Sequence, residues 1–119
     1  MRLFKVIVAG GRDFDDYPMM VQYLDFVFSE AKEDIEIVCG MARGADSLGK
    51  RYAEERGYAV KKMAANWSLH GRSAGYVRNV EMANYADALV AFWDGKSSGT
   101  AHMIKTAQSK HLKIRVKRY

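Results

Sequence analysis

The chain has 119 residues and a net charge of +5, with 49% apolar and 28% charged residues and a single Cys. That is the size and make-up of one ordinary globular domain, residues 1–119, too short for a second catalytic domain. Its longest apolar runs, near residues 6–9 and 88–93, fall far short of the roughly 20 residues that a membrane span needs. The N-terminal residues lack the long apolar region of a signal peptide. One Cys closes no internal disulfide, so a reducing cytoplasm is expected and no membrane partner.

Residues 3–9 (LFKVIVA) form a nearly continuous apolar run that stops at Gly10-Gly11, the pattern of a strand buried on both faces. Asp15-Asp16-Tyr17-Pro18 then opens a helix, because acids near the cap and Pro in the first turn are favourable there. Met20, Leu24, Val27 and Ala31 mark its apolar face. Residues 35–39 (IEIVC) read as a second strand. Residues 44–56 read as a helix burying Ala45, Leu48, Gly49, Tyr52 and Ala53, with Gly57 as its stop. Residues 58–63 predict a third strand, 66–73 a polar connection, and 74–85 a third helix. Residues 88–93 predict a fourth strand, and 100–110 a fourth helix burying Thr100, Met103, Ile104 and Ala107. Residues 112–116 close with a fifth strand.

Strands alternating with helices in this way imply an α/β three-layer domain with a five-stranded parallel sheet. Right-handed crossovers leave few topologies, and the Rossmann-like order 3-2-1-4-5 is the expected one. Ligands of such sheets bind at the carboxyl ends of the strands, where the winding reverses.

The polar and Gly-rich clusters all follow strands: Gly10-Gly11-Arg12-Asp13, Gly40 to Asp46, Ala65-Asn66-Trp67 and Ser97-Ser98-Gly99-Thr100. Gly10 and Gly11 allow φ > 0 and close backbone approach, to a ligand or simply in a tight turn. Neither matches a dinucleotide fingerprint or a Walker loop. Ser97, Ser98, Gly99 and Thr100 either hold an anion on free helix amides or cap the helix. Arg43, beside Gly40 and Gly44, is a phosphate clamp or a surface Arg. Asp46 caps the second helix, complements its dipole, or holds a ribose hydroxyl; Arg12 and Asp13 pair with each other or with Arg43. Arg78 and Asn79 lie early in the third helix. Trp67 stacks on a base or packs in the core. His102 points away from the buried face of its helix, and Cys39 is a buried, inert thiol. The three His are scattered and no Cys/His cluster has zinc spacing, so no metal is assigned.

Residues 6–14 (VIVAGGRDF) resemble the opening of the YspA/YpsA-related branch of the SLOG superfamily. So do residues 40–46 (GMARGAD), Ala65-Asn66-Trp67, Gly75 through Arg78-Asn79 with Met82, and Ser98-Gly99-Thr100. The resemblance runs from about residue 4 to residue 116. It implies a Rossmann-like fold and a pocket for a nucleotide or nucleotide-derived ligand, and some relatives of this kind occur in phages and mobile elements. The superfamily also includes Lonely-guy-type phosphoribohydrolases, with a Gly-Gly-x-Gly-Thr-x-x-Glu loop and a Met-x-x-Arg-Lys motif. Arg78-Asn79 is similar to the end of the second motif. Residues 97–103 are similar to the first, but Met103 stands where the catalytic Glu would be. A thioether neither accepts a proton nor stabilises an oxocarbenium-like charge.

Three readings follow. In the first, amides of Gly10, Gly11, Gly99 and Thr100 cradle the phosphate of a nucleotide-derived ligand. Arg12, Arg43 and Arg78 add positive charge, Asp46 or Asp13 holds a ribose hydroxyl, and Trp67 flanks a base. In the second, Arg78 and a displaced carboxylate, Asp46 or Glu81, cleave an N-glycosidic bond. In the third, the basic C-terminal residues Lys110, Lys113, Arg115, Lys117 and Arg118 bind nucleic acid. Tyr23, Phe26 and Phe28 fall on more than one side of the first helix, which suits a homodimer or higher oligomer.

Overall fold

Strand β1 (Leu3–Gly10) sits at the centre of the sheet. Val6 and Val8 face one side and Ile7 and Ala9 the other, and all four are buried. A strand covered on both faces has no polar side, so its sequence is apolar throughout rather than alternating. The computed structural model of the chain describes residues 3–119. Around β1 lie β2 (Asp34–Cys39), β3 (Ala59–Lys62), β4 (Ala88–Trp93) and β5 (Lys113–Arg118). All pairings are parallel, in the order β3-β2-β1-β4-β5.

Two helical layers cover this sheet. Helices α1 (Tyr17–Phe28) and α2 (Ala45–Arg56) pack on the first face, where Met20, Leu24, Phe28, Tyr52 and Ala53 meet Val6, Val8, Ile37 and Val90. After the short helix α3 (Trp67–His70), α4 (Ala74–Tyr85) and α5 (Ser98–Ser109) pack on the second. There Met82, Ala83, Met103 and Ala107 meet Ile7, Val38, Leu89 and Ala91. The chain therefore changes faces between β1 and β4, and the strand ends part at that point.

The predicted topology is the one found, but several boundaries move. Helix α1 begins at Tyr17, with Asp16 as its cap accepting from the Met19 amide at 3.1 Å. It stops before Ala31, so Phe28 takes the buried place expected of Ala31. Residues 66–73 are not a plain polar connection. Asn66 accepts from the Leu69 amide at 3.1 Å and starts α3, and a 3-10 turn (Gly71–Ser73) runs on into α4. Strand β3 is shorter than residues 58–63, since its pairing with β2 runs only from Ala59 to Lys62. Strand β5 starts one residue later than expected and extends to Arg118, carried on by its pairing with Trp93 of β4. Helix α5 starts at Ser98 rather than Thr100 because Ser97 supplies the cap.

Helix α2 lies unusually close to β1 at Gly49. A Cβ there would stand 2.7 Å from Val8 Cγ1 and 2.9 Å from Val8 Cβ. Gly49→Ala is therefore expected to destabilise by about 1–3 kcal/mol through overpacking, although Ala in a helix interior gains about 1 kcal/mol over Gly in propensity. Adding Val8→Ala should make the Gly49→Ala step less costly, or favourable. Thermal melts of the four proteins in this double-mutant cycle measure it, and additive effects would refute the close contact.

Candidate functional site

A cleft of about 820 Å³ opens at the carboxyl ends of β1, β2 and β4. Thirteen of the fifteen candidate site residues line it: Gly10, Gly11, Arg12, Asp13, Arg43, Asp46, Trp67, Arg78, Asn79, Ser97, Ser98, Gly99 and Thr100. Gly40 and Gly44 stand behind it instead. Gly40 accepts a short hydrogen bond from Arg78 Nη1 through its carbonyl. Gly44 is the cap of α2 at φ 77°, a conformation that suits glycine. A side chain there would also run into the Gly11 and Arg12 backbone. Sequence reasoning missed Arg72, Asp94 and Met82 as lining residues; Tyr76, which with Trp67 reads as a ring for a base or for the core, and Met103 also line the cleft. Arg72 follows Gly71 in a segment read as a mere connection, and that basic residue beside a Gly was the available signal.

The loops meet at Gly11. Its amide donates to the Phe92 carbonyl at 3.1 Å, and its own carbonyl accepts from the Phe14 and Ala45 amides at 3.2 and 3.1 Å. Neither Gly10 nor Gly11 has the positive φ expected of it; in this region Met41 (φ 65°) and Gly44 do. What demands glycine at Gly10 is crowding by the Phe92 carbonyl; at Gly11 a Cβ would displace the Tyr119 hydroxyl. The Gly11 amide is thus engaged within the fold, and so is that of Thr100, which donates to the Ser97 hydroxyl at 3.4 Å. In the first turn of α5, the Ser98 and Gly99 amides are the donors left without an acceptor among the described residues.

Arg78 occupies the cleft floor, with only 12% of its side chain exposed. It donates to the Gly40 carbonyl and, through Nε, to Asn79 Oδ1 at 3.2 Å. Asp46 Oδ2 lies 4.0 Å from Arg78 Nη1 and accepts from the Ala42 amide at 3.2 Å. Asp46 therefore caps nothing in α2; it closes the loop after β2. Burial pushes its carboxyl up to about 6, against the opposing pull of Arg78, the Ala42 amide and Arg12. Desolvation wins because the guanidinium gives its close hydrogen bonds to Gly40 and Asn79. Asn79, also buried, donates to the Gly99 carbonyl at 3.3 Å and to His102 Nδ1 at 3.1 Å. His102 stacks against Tyr76 at 4.3 Å, off the buried face as expected, and burial holds its pKa below the usual imidazole range.

The three carboxylates of the cleft are all engaged by the protein. Asp13 accepts from the Tyr119 hydroxyl at 2.6 Å rather than pairing with Arg12 or Arg43, and Asp94 accepts from the Lys96 and Ser97 amides at 2.8 Å each. In contrast, Arg12, Arg43 and Arg72 make no hydrogen bond or ion pair with the described residues. Trp67 is 53% exposed, so it lies at the cleft rim and not in the core. Glu81 is exposed outside the cleft lining, which removes it as a carboxylate for this site. Met103 is buried in the cleft floor. Cys39 is buried and its thiol is pushed up by desolvation. No group of three or more His, Cys, Asp or Glu among the described residues could hold a metal, and no helix there is long and apolar enough to cross a membrane.

Residues 4–70 match the family described as "YspA, cpYpsA-related SLOG family". The chain is 32% identical over 116 residues to the Gene 61 protein of Mycobacterium phage D29, covering 92% of this chain and 93% of that protein. Its fold is similar to that of DNA processing protein A (DprA) from Streptococcus pneumoniae, with a TM-score of 0.74 at 14% identity over 96% of this chain. The chain spans 50% of the DprA chain. A structure titled TM1055 is similar over 96% of this chain and 72% of its own, with a TM-score of 0.66 at 19% identity. At such identities these two likenesses concern the fold alone.

The state of Asp46 should be visible in stability. Its folded pKa, about 6, lies above the usual carboxyl value of 3.8, so the fold holds this proton more tightly than the unfolded chain. The resulting stabilisation is full below about pH 4 and is lost as pH rises to about 6, of order 3 kcal/mol at most. Relative to wild type, Asp46→Asn should thus gain melting temperature between pH 4 and 7.5. A constant difference across that range would refute the burial argument.

Proposed function

We infer that this chain, which belongs to the YspA, cpYpsA-related SLOG family, binds a phosphorylated, nucleotide-derived ligand in the cleft at the carboxyl edge of its sheet. One observation carries the reading: the cleft's carboxylates are engaged within the protein, whereas the side chains of Arg12, Arg43 and Arg72 make no hydrogen bond or ion pair with the described residues. Guanidinium groups with free donors at a cleft favour phosphate, which their planar fork matches. The Ser98 and Gly99 amides at the start of α5 add donors of the same preference. The exposed Trp67 ring at the rim offers a face for a base. The ligand is sensed, carried or sequestered rather than turned over, since Met103 occupies the position where related phosphoribohydrolases place their Glu.

A second reading rests on Asp46, a buried carboxyl with a pKa near 6 beside Arg78 in the same cleft. A carboxyl so tuned suits general acid catalysis near neutral pH. In an N-glycosidase it would stand in for the missing Glu, with Arg78 holding the phosphate.

Both readings are tested by denaturing the purified protein, identifying what is released by mass spectrometry, and measuring melting temperatures with a panel of nucleotides and nucleotide sugars. A ligand at 100 times its Kd adds about 2.7 kcal/mol, or about 10 °C for a domain of this size. The shift should be much reduced in the Arg12→Gln, Arg43→Gln double variant. It should vanish in Gly99→Asp, where a new Cβ meets open space but the carboxylate repels the phosphate. No shift with any member of the panel would overturn the binding reading. Recovery of free base, lost in Asp46→Asn, would establish the second.

A further inference from the structure

The positive charge of the chain is unevenly placed. Residues 95–119 carry seven of its 19 Lys and Arg and none of its 14 Asp and Glu. Three of the seven, Lys113, Arg115 and Lys117, alternate along β5, so they project from one face of the sheet, the face that carries α1. The ring contacts confirm the direction. Lys113 Nζ stands 5.6 Å from the Phe4 ring, Arg115 Cζ 5.9 Å from Phe26, and Lys117 Nζ 5.6 Å from Tyr23. None of the three has a carboxylate within ion-pair distance among the described residues. Strand β5 is the edge of the sheet, and α1 leaves an open groove of about 500 Å³ between itself and β4–β5.

We propose that this face of β5 and α1 is a second binding surface, separate from the cleft, that takes single-stranded nucleic acid. Alternate residues of a strand are about 6.6 Å apart. Successive phosphates of an extended single strand are six backbone bonds apart and lie at a comparable spacing, so each cation of this ladder can meet one phosphate. The rings beside the cations supply the other half of the pattern, since unpaired bases stack on aromatic faces without regard to sequence. Phe26 is 64% exposed on α1 and lies against the ladder. A duplex hides its base faces, and this surface has no projecting helix or ribbon to enter a groove. Glu30 and Glu33, in the segment between α1 and β2, line the same groove as Lys113 and Arg115, so the phosphates are assigned to its β5 side. Charged side chains on an edge strand also guard against strand pairing between molecules. That role alone predicts no affinity for a polyanion and no dependence on Phe26.

The test is fluorescence anisotropy of a labelled 20-residue oligothymidylate with the full chain. Binding should weaken about 20-fold between 50 and 200 mM salt, as three phosphate contacts require. A triple variant, Lys113→Gln, Arg115→Gln and Lys117→Gln, should lose most of the affinity and nearly all of the salt dependence while melting as wild type. The single reversal Arg115→Glu serves if the triple variant folds poorly. Phe26→Ser should weaken binding at least 5-fold. Gly99→Asp should leave it unchanged, which separates this surface from the cleft. No binding at 50 mM salt, equal binding of a duplex of the same length, or wild-type binding by the triple variant would overturn the proposal. So would a dimer in sedimentation that the triple variant breaks, because a second copy would then cover the face.

Discussion

The backbone of Gly11 is the junction on which the cleft depends. Its amide reaches the end of β4 and its carbonyl reaches both the following loop and the first amide of α2. Three elements distant in sequence are thereby held at one point, directly beyond the place where the sheet changes winding direction. Gly44 belongs to the same junction, since its backbone lies so close to Gly11 and Arg12 that a side chain has no room. The need for backbone contact, more than any feature of a ligand, explains glycine at Gly44. The rim residues Arg12, Asp13 and Arg43 are placed by this junction.

Around it the protein has divided its polar groups into those it uses and those it leaves open. Asp13, Asp46 and Asp94 are bound by Tyr119, by the Ala42 amide and by the Lys96 and Ser97 amides. Asn79 ties α4 to the start of α5 through Gly99 and His102. Arg78 is shared between the Gly40 carbonyl and Asn79, so it serves the fold as well as the cleft. The arginines without such duties project where the field of α5 is also positive. In the proposed reading, an anion would be drawn to the site by unmatched donors rather than by total charge. Much of the chain's excess charge lies on β5, away from the cleft floor.

How much of this could be read from the chain varied with the kind of interaction. The burial of Val6 to Ala9 on both faces was plain, because apolar continuity is local and repeated. The start of α1 was visible in Asp16 and Pro18, but its end was not, since Phe28 and Ala31 are both apolar and only packing against Tyr52 and Tyr58 separates them. The helix and turn at residues 67–73 bury no residue, so no hydrophobic period announced them. Trp67 read as a core ring or a base-stacking one, because composition does not say which way a ring faces. The role of Tyr119 was invisible, since its partner Asp13 is 106 residues away.

The sequence by itself determined the alternation of buried strands and amphipathic helices, hence the parallel sheet and its order. It also determined that the polar loops follow the strands. These are consequences of periodicity, chain handedness and residue chemistry, which act over a few positions. Only the tertiary structure decided which donors remain free. It turned the Gly11 amide inward, buried Asp46 beside Arg78 and placed Glu81 outside. Those outcomes depend on hydrogen-bond partners and dielectric surroundings that exist only once distant segments have met.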